Sequence, residues 1–371
     1  MIKRLLLMLC GLVMSNGIAH ADADGSLDDR IKLPPGFHIE VYARVPGARS
    51  MALDPQTGRV YVGSRRDKLH VITDDNRDGR AERVIELADN LNVPNGVAVL
   101  NNRLYVAENH RIAWHSLKGD PEEMADGWTT IKSDLPAKHH HGWRYLKKGP
   151  DNRLYVTIGA PYNIGMPQGL EGTILALDAD GGNVQTIASG VRNSVGLDFH
   201  PLTGEMFFTD NGADNMGDNI PPDELNHVTQ PGSHYGYPWF GGRHVRLTGF
   251  EKQQPPGPVV KPVVNFQAHT ASLGVHFYQG RMFPPEYMFD AYVAQHGSWN
   301  RSDPVGYRIM RVRFGKLGAV LGRQVFASGW LKKGDVSGRP VDILGLPDGS
   351  MLVSDDHAGR VYRITWRGRK N

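Results

Sequence analysis

The sequence predicts an all-β protein that folds as a single six-bladed β-propeller. Three observations predict this fold: a turn-and-strand pattern recurs along the chain, Gly and Pro account for 44 and 24 of the 371 residues, and long apolar stripes with helical period are scarce. Frequent turn residues between short apolar runs indicate many short strands. A recurring unit of this kind is typical of propellers, in which each blade buries its faces against its neighbours.

Each copy of the pattern is a polar turn, then four or five β-branched, aromatic or aliphatic residues, then a polar or glycine-rich stretch. Such apolar runs bounded by turns are typical of strands. The copies begin near Thr57, Asn101, Asp151, Thr203, Phe289 and Asp348. Most intervals are about 40 to 50 residues, the length of a four-stranded blade, so the six copies predict six blades.

One interval, between the fourth and fifth copies, is wider than the others. It is rich in Gly, Pro, Asn and Asp, which are turn and loop residues. We therefore predict an insertion between blades around residues 212–268 rather than a missing blade. Long ordered loops on a rigid scaffold commonly carry binding residues.

The first residues have the pattern of an export signal. Lys3 and Arg4 precede an apolar run over 5–14, and residues 19–21, Ala-His-Ala, have the small-x-small form of a signal-peptidase site. We expect a signal peptide over 1–21 with cleavage near Ala21, one propeller domain over 22–371, and a periplasmic or secreted protein.

Composition argues against several kinds of function. The single cysteine, Cys10, lies in the expected signal peptide, so the mature chain offers no disulfide and no thiolate metal site. No later stretch approaches the ~20 consecutive apolar residues of a membrane helix, so we expect no membrane span. Losing Lys3 and Arg4 takes two from the formal charge of +3, which leaves no reason to expect a nucleic-acid partner.

Polar residues follow many of the predicted strands, where a propeller gathers side chains around one end of its central channel. They combine arginines and histidines with an acidic, glycine-rich loop, which favours a pocket for an anionic, metal-bound ligand. These residues are His141, Arg192, Asn193, the loop 210–224, His269, the segment 296–301, Arg339 and Asp342.

Several of these segments follow one another in an order that resembles a known family. The stretches "HHHGWRYLKKGPDNRLYVTIGAP", "VRNSVGLDFHPLTGEMFFTDNG", "HGSWNR" and "GRPVDILGLPDGSMLVSDD" are similar to the soluble quinoprotein sugar dehydrogenases, and more closely to their sorbosone-dehydrogenase-like branch. The resemblance covers roughly residues 33–367. It implies a six-bladed propeller that carries pyrroloquinoline quinone (PQQ) and Ca²⁺ and oxidises the anomeric or aldehyde-hydrate carbon of a sugar.

The resemblance also implies the partners: a small sugar or aldehyde substrate and an external electron acceptor, either a cytochrome or a quinone. The chain contains no C-x-x-C-H haem motif, so a cytochrome would be a separate protein. Two other functions stay open at this point. One is a calcium-dependent lactonase on the same propeller, and the other is a propeller that binds a ligand without catalysis.

The family's catalytic histidine precedes a "GPD" turn by eight residues, and counting back from Gly149 reaches His141. The resemblance implies that His141 is the general base on the substrate hydroxyl, a role that suits a neutral imidazole with a pKa of about 6.5. Two alternatives remain: an inert surface run of histidines, or a zinc site built from His139 and His141, which share one face of an extended segment.

The resemblance assigns cofactor ligands as well. Arg192 matches the catalytic arginine beside the quinone oxygen, where a fixed cation stabilises developing negative charge, and Asn193 would be a neighbouring polar contact. Arg339 matches an arginine that contacts the cofactor's carboxylates, and Arg301 stands near the place of another basic ligand. The alternative for Arg192 is a strand-end arginine paired with a surface acid.

For calcium, the family uses carbonyl oxygens of a glycine loop together with acidic side chains, the oxygen ligands that this cation prefers. The matching positions are Gly212, Ala213, Asp223, Glu224 and the carbonyl of Tyr235. Asp214 or Asp218 could replace one of the acids, and a solvated acidic turn is the alternative to a metal site.

A second acidic stretch, over 74–86, has EF-hand-like spacing at its start, but its twelfth position is Ile85. This favours a hairpin loop, with a second calcium as the alternative. His269 and Trp299 lie where substrate contacts could fall.

Two positions depart from the glucose-oxidising members. An acid that orients the catalytic histidine is replaced by Ala160. A glutamine of the second blade is replaced by Pro94 or Asn95. Both departures argue against assigning the glucose specificity of those members to this chain. The first also leaves the base without its expected carboxylate.

Overall fold

A computed structural model of the protein describes residues 27–121, 127–315 and 317–368. The expected signal peptide, 1–21, lies outside these ranges. Apart from one helical turn at Leu27–Arg30 and a 3-10 helix at Pro285–Tyr287, the regular elements of the described chain are strands. None of the helices in those ranges has the length and apolarity needed to cross a membrane.

The strands form six blades around a ring, which confirms the predicted fold. Strand β1 (Phe37–Arg44) belongs to the last blade. The first blade contains β2 (Ala48–Leu53), β3 (Val60–Ser64), β4 (Leu69–Thr73) and β5 (Arg83–Ala88). The second contains β6 (Gly96–Leu100), β7 (Arg103–Ala107), β8 (Ile112–Ser116) and β9 (Thr129–Lys132). The third contains β10 (Leu146–Lys148), β11 (Leu154–Ile158), β12 (Thr173–Leu177) and β13 (Gln185–Ser189).

The fourth blade begins with β14 (Leu197–Phe199), β15 (Met206–Asp210) and β16 (Pro222–Val228), and β20 (Val264–Ala268) completes it. Between β16 and β20 lie β17 (Ser233–His234), β18 (Phe240–Gly241) and β19 (Val245–Arg246). The fifth blade contains β21 (Ser272–Phe277), β22 (Ala291–Gln295), β23 (Arg308–Phe314) and β24 (Val320–Ser328). A small hairpin, β25 (Leu331–Lys332) and β26 (Asp335–Val336), precedes the sixth blade, which contains β27 (Pro340–Gly345), β28 (Met351–Asp355), β29 (Arg360–Trp366) and β1.

The repeat found in the sequence corresponds to the second strand of each blade and the turn before it. These strands are β3, β7, β11, β15, β22 and β28. Five of them are buried at every residue, and β7 at all but its first. A strand that is covered on both faces reads as a continuous apolar run rather than an alternating one, which is why this strand of each blade was the recognisable one.

The ring is closed by pairing the N-terminal strand with the C-terminal one. β1 pairs antiparallel with β29 from Phe37 opposite Trp366 to Arg44 opposite Arg360. Next to this seam, Phe37 makes edge-to-face contacts with Phe283 and Phe326 at ring-centroid distances of 4.7 and 5.1 Å. The last blade is therefore built from both ends of the chain, and main-chain hydrogen bonds between them hold the ring closed.

The insertion lies inside the fourth blade, not between two blades as we expected. β20 pairs antiparallel with β16 and supplies the outer strand of that blade, so the blade is incomplete until the chain returns from residues 229–263. Within this segment β17 pairs in parallel with β13 at the edge of the third blade. The inserted residues therefore connect the outer edge of the third blade with the fourth blade.

Candidate active site

A cavity of about 360 Å³, which we call the central cavity, lies among strand ends and inter-blade connections. It brings together most of the polar residues that the sequence indicated. Its polar and aromatic lining includes Arg49, Arg65, His140, His141, Trp143, Arg192, Asn193, Asn211, Gly212, Asp214, Asp223, His269, His296, Trp299, Asn300 and Arg339.

His141 lies in this lining with a side chain held in one orientation. The residue is 5% exposed and has a positive φ of 55°, a conformation that is uncommon for a residue with a side chain. Its Nδ1–H donates to the carbonyl oxygen of Ala160, which leaves Nε2 as the bare acceptor nitrogen. The chain packs closely here, since a Cβ on Gly159 would lie 2.7 Å from the Cβ of His141.

The main-chain carbonyl of Ala160 thus holds the ring at the position where the resemblance led us to expect a carboxylate. Although position 160 has no acid, the His141 ring is still oriented, because the main chain supplies the hydrogen-bond acceptor. Burial, followed by the charges of Arg192 and His140, lowers the pKa of His141 to about 2. The ring is therefore a neutral imidazole at neutral pH, with a fixed tautomer.

The other two histidines of the run have different positions. The His140 ring stacks on that of His141 with centroids 4.0 Å apart, and it too lines the central cavity. His139 is exposed, and its carbonyl accepts a hydrogen bond from Gly142. Within residues 27–121, 127–315 and 317–368, no metal-binding cluster includes these histidines, so nothing favours the zinc alternative.

Arg192 is buried in the cavity wall rather than paired with a surface acid. It is 4% exposed. Its Nε donates to the Asn163 carbonyl at 2.8 Å, and its Nη2 donates to Asn163 Oδ1 at 2.8 Å and to Asp214 Oδ2 at 3.0 Å. The backbone N–H groups of Arg192 and Asn193 both donate to the buried Asp210 carboxylate, at 2.8 and 2.6 Å. The guanidinium is therefore a fixed positive charge.

Arg339 belongs to a network that the sequence analysis did not identify. Its Nη2 donates to the Tyr307 hydroxyl at 3.1 Å, and its Nη1 lies 3.4 Å from Nδ1 of His296. The Nε2–H of His296 donates to Asp356 at 2.7 Å. Two further arginines bond to the same Asp356 carboxylate, Arg49 at 3.1 Å and Arg65 at 2.9 Å.

These missed residues left only a weak sequence signal. Arg49 interrupts the otherwise small and apolar buried strand β2, and a charged residue in such a strand needs a partner. That partner, Asp356, follows β28 at the other end of the chain. Asn95 binds in the same region, since its Oδ1 accepts from Arg49 Nε at 2.8 Å and its Nδ2 donates to the Arg144 carbonyl.

Arg301, which the resemblance assigned to the cofactor, is not part of the lining of the central cavity. Its guanidinium donates to the main-chain carbonyls of Asp218 and Asp303, because the loop after β22 turns towards residues 214–218. The neighbours Trp299 and Asn300 line the cavity instead. Trp299 is 72% exposed at the rim, and Asn300 Nδ2 donates to Asp214 Oδ1 at 2.9 Å.

The expected calcium ligands lie in two adjoining places. Gly212 and Asp223 line the central cavity, whereas Ala213, Glu224 and Tyr235 line a small buried cavity of about 10 Å³ behind Arg192. Gly212 lines both cavities. A cavity of this size holds about one water-sized particle.

The Asp223 carboxylate is already used within the protein. Its Oδ1 accepts from the Gly212 N–H at 2.9 Å, and its Oδ2 accepts from Thr270 Oγ1 and the Ser272 N–H at 2.8 and 3.1 Å. Asp223 therefore joins the fourth blade to the start of the fifth. The Glu224 carboxylate is used in a similar way, since it accepts from the Gly242 N–H and from Asn226 Nδ2.

Glu224 faces a second buried acid that was not assigned as a ligand. Asp210 and Glu224 are directly opposite in the pairing of β15 with β16, and both line the small cavity. Burial raises the pKa of both carboxyls, and the charge of Asp210 raises that of Glu224 further. Two carboxyls in one small cavity beside carbonyl oxygens form a suitable donor set for a divalent cation.

Several buried polar atoms in the central cavity have no partner within the described chain. They are acceptors: Asn193 Oδ1, Asn211 Oδ1, Asn300 Oδ1 and His269 Nδ1. His269 is fixed through Nε2, which donates to the Gly217 carbonyl at 2.8 Å. Unpartnered buried acceptors are costly, so their concentration here indicates a site built for a polar ligand or cation.

The second acidic stretch lies in the hairpin between β4 and β5, away from the central cavity. Carboxylate oxygens of Asp74, Asp78 and Glu82 lie within 4.8 Å of one another. Glu82 is therefore the third acid of this group, although it is not at the twelfth position, where an EF-hand has its glutamate. Asp74 Oδ2 accepts from the Gly79 N–H at 3.0 Å, so the segment forms an internally hydrogen-bonded turn.

Comparison with solved structures shows the same fold in sugar dehydrogenases. The PQQ domain of pyranose dehydrogenase from Coprinopsis cinerea, in its holo form, matches with a TM-score of 0.75 and 20% identity, over 90% of this chain and 97% of that one. A calcium structure of the Trichoderma reesei carbohydrate-active enzyme family AA12 matches with a TM-score of 0.77 and 20% identity, over 91% and 97%.

Comparison by sequence gives a nearer relative. An uncharacterised protein of Borreliella burgdorferi is 34% identical over 351 residues, which is 90% of each chain. A protein-family model matches residues 25–368, essentially the whole described propeller. The chain belongs to the family described as domain of unknown function DUF7133.

Proposed function

We propose that this protein is a dehydrogenase that oxidises a sugar or sugar-derived aldehyde with PQQ and Ca²⁺ as cofactors. The observation that carries the proposal is the meeting of His141 and Arg192 in one cavity, the first a neutral base with a bare Nε2 and the second a fixed cation. The shared fold of the sugar dehydrogenases supports it.

The residues present fit these cofactors. A cavity of about 360 Å³ is within the usual range for small-molecule sites. Arg192, Asn193 and Arg339 would hold the quinone, because guanidinium groups pair well with carboxylates. The carbonyls of Gly212, Ala213 and Tyr235 with the carboxylates of Glu224 and Asp210 would hold calcium.

The chemistry that the quinone supplies when bound is acceptance of a hydride from the substrate carbon and delivery of its electrons to an external acceptor. His141 Nε2 accepts the proton of the substrate hydroxyl, while its Nδ1–H stays on the Ala160 carbonyl and keeps the ring in place. Arg192 stabilises negative charge that develops beside it, and it does so without reorganising.

The lactonase alternative is less well supported by this site. A metal-dependent hydrolase needs a metal with an open coordination position towards the substrate. Glu224 and Asp210 instead line the small cavity, whereas Arg49, Arg65 and Arg339 line the central cavity where a substrate would bind. The proposal also includes export to the periplasm or medium, which the signal-like leader supports. A separate electron acceptor completes it.

The test is reconstitution of the purified protein with PQQ and CaCl₂. We expect a saturable change in the quinone absorption spectrum and reduction of an artificial electron-acceptor dye with members of an aldose and aldehyde panel. Omitting calcium should abolish both. Failure of the quinone to bind, together with no dye reduction by any substrate, would refute the proposal.

A further inference from the structure

We propose that the first-blade side of the central cavity is a subsite for a carboxylate of the substrate. The preferred substrate is then an acidic sugar whose anomeric (aldehyde-level) carbon is free to be oxidised. The inference rests on the proposed dehydrogenase function and names its substrate class. The residues that carry it are Arg65, Arg49 and Trp143, none of which was assigned a role from the sequence.

The first step is an imbalance of charge. Arg49 and Arg65 both bond to the single carboxylate of Asp356, at 3.1 and 2.9 Å, and that side chain is only 2% exposed. The same carboxylate accepts the Nε2–H of His296. Burial lowers the pKa of His296, so the histidine is neutral, and two guanidiniums share one negative charge. One positive charge is left for an incoming anion.

The second step is the surface beside this charge. The guanidinium carbons of Arg49 and Arg65 lie 5.7 and 5.5 Å from the centre of the Trp143 ring, and the indole itself lines the central cavity. The two cations lie over the indole, so a sugar that contacts the part of Trp143 exposed to the cavity would place its carboxylate beside them. Trp143 is two residues after His141, so an anchored sugar lies on the same loop as the candidate base.

The third step distinguishes the substrate's carboxylate from those of the cofactor. The Arg65 side chain is 48% exposed, whereas those of Arg49 and Arg192 are 4% and 5% exposed. Arg65 therefore lies at the mouth of the cavity, and a cofactor that occupies the interior beside Arg192 leaves it accessible. Arg49 cannot turn away from this place, because its Nε donates to Asn95 Oδ1 at 2.8 Å.

The experiment compares glucose with glucuronate, which share the ring and the reactive carbon but differ in the group at carbon six. Calorimetric titration of the protein without cofactor gives a binding readout, and dye reduction by the reconstituted enzyme gives kcat/KM. We expect glucuronate to bind more tightly and to be oxidised with the higher kcat/KM. Both preferences should weaken between 0.05 and 0.5 M NaCl, because salt screens a half-exposed charge.

The variant is Arg65→Gln, which removes the charge and keeps most of the side chain. Because the variant loses a hydrogen bond between charged groups, we expect the preference for glucuronate over glucose to fall about tenfold, both in affinity and in kcat/KM. The matched control is Arg66→Gln, which removes the same charge from an exposed neighbour outside the cavity lining and should leave the ratio within about twofold.

Two results would overturn the subsite. One is equal affinity for glucose and glucuronate in the unmodified protein. The other is an Arg65→Gln protein that loses affinity for PQQ while its glucuronate-to-glucose ratio is unchanged, since the carboxylate bound there would then be the cofactor's. If the protein binds no PQQ but still prefers glucuronate by calorimetry, the subsite stands and the dehydrogenase function fails, so the two failures are distinguishable.

Discussion

The two halves of the candidate active site carry opposite charge. The basic half, formed by the first and last blades, has three arginines, Arg49, Arg65 and Arg339, around the carboxylate of Asp356. The acidic half, formed around the fourth blade, has four carboxyl groups near the one guanidinium of Arg192. The acidic half contains Asp210, Asp214, Asp223 and Glu224.

This difference indicates what kind of ligand spans the site. Carboxylates belong in the basic half, and a divalent cation belongs in the acidic half. Under the proposed function, Arg339 would hold a carboxylate of PQQ and the acidic half would hold Ca²⁺, while Arg49 and Arg65 remain for the substrate's carboxylate. His141 lies in the lining shared by the two halves, and its neutral ring adds no charge to either.

The largest expected effect comes from the residue that belongs to neither half. His141→Ala should lower kcat about 10²- to 10⁴-fold, because general-base catalysis is lost, while spectroscopic titration should show PQQ binding retained. His140→Ala is the control and should keep most of the turnover. Loss of activity in the His140 variant with normal activity in the His141 variant would move the base by one position.

Removing the acid of the basic half should unfold the protein more easily. Asp356→Asn leaves Arg49 buried without a counter-charge, which costs about 3–5 kcal/mol, measurable by urea unfolding at pH 7. Burial raises the pKa of Asp356, but the hydrogen bond from His296 and the charges of Arg49 and Arg65 outweigh it and hold the pKa below its usual range. Its stabilising charge is therefore present above the unfolded pKa of about 3.9 and is lost as pH falls below it.

The same sign predicts how this difference changes with acidity. The stability gap between the Asp356→Asn variant and the unmodified protein should narrow progressively below about pH 4. A gap that stays constant down to pH 2.5 would show that the carboxylate charge is not what stabilises the basic half. Asp335→Asn, at an exposed ion pair with Arg30, is the control and should have little effect at any pH.

The acidic half is tested by calcium. We expect CaCl₂ at about 100 times its dissociation constant to stabilise the protein by about 2.7 kcal/mol and to raise Tm by a few degrees. Glu224→Gln should remove most of this increase. Glu82→Gln, in the exposed turn with Asp74 and Asp78, should not; if it does, the calcium responsible lies in that hairpin.

The smallest effect is a pH dependence that should be missing. Because burial lowers the pKa of His141 to about 2, the proton-accepting form persists throughout the pH range of assay. We expect kcat/KM for glucose to change less than about twofold between pH 5 and 8 on account of this group. An ordinary histidine pKa of about 6.5 would instead reduce kcat/KM roughly thirtyfold at pH 5.

The fold could be predicted because its signal is repeated. The second strand of each blade is buried on both faces, so the same apolar run returns in every blade. The insertion was recognised as extra chain, but its place could not be predicted. The outer strand β20 pairs with β16 across more than thirty residues, and nothing local in its sequence assigns it to that blade.

The site was predictable only where side-chain type carries the chemistry. His141, Arg192, Asn193 and Arg339 all reached the central cavity. The acceptor that orients His141 is a main-chain carbonyl, which every residue type has, so the alanine at position 160 gave no sign of it. The sequence could not show that Arg301 lies outside the cavity lining, because the direction of its side chain depends on the path of a loop.

The seam of the ring has a consequence for biogenesis. Arg49 and Arg65 come from the first blade, and Asp356 and Arg339 come from the last, so the basic half exists only after β1 has paired with β29. Until the last blade has been synthesised and folded, Arg49 and Arg65 lack Asp356 as their partner and the basic half is incomplete. Any ligand that needs the basic half can therefore bind only after the two ends of the chain have paired.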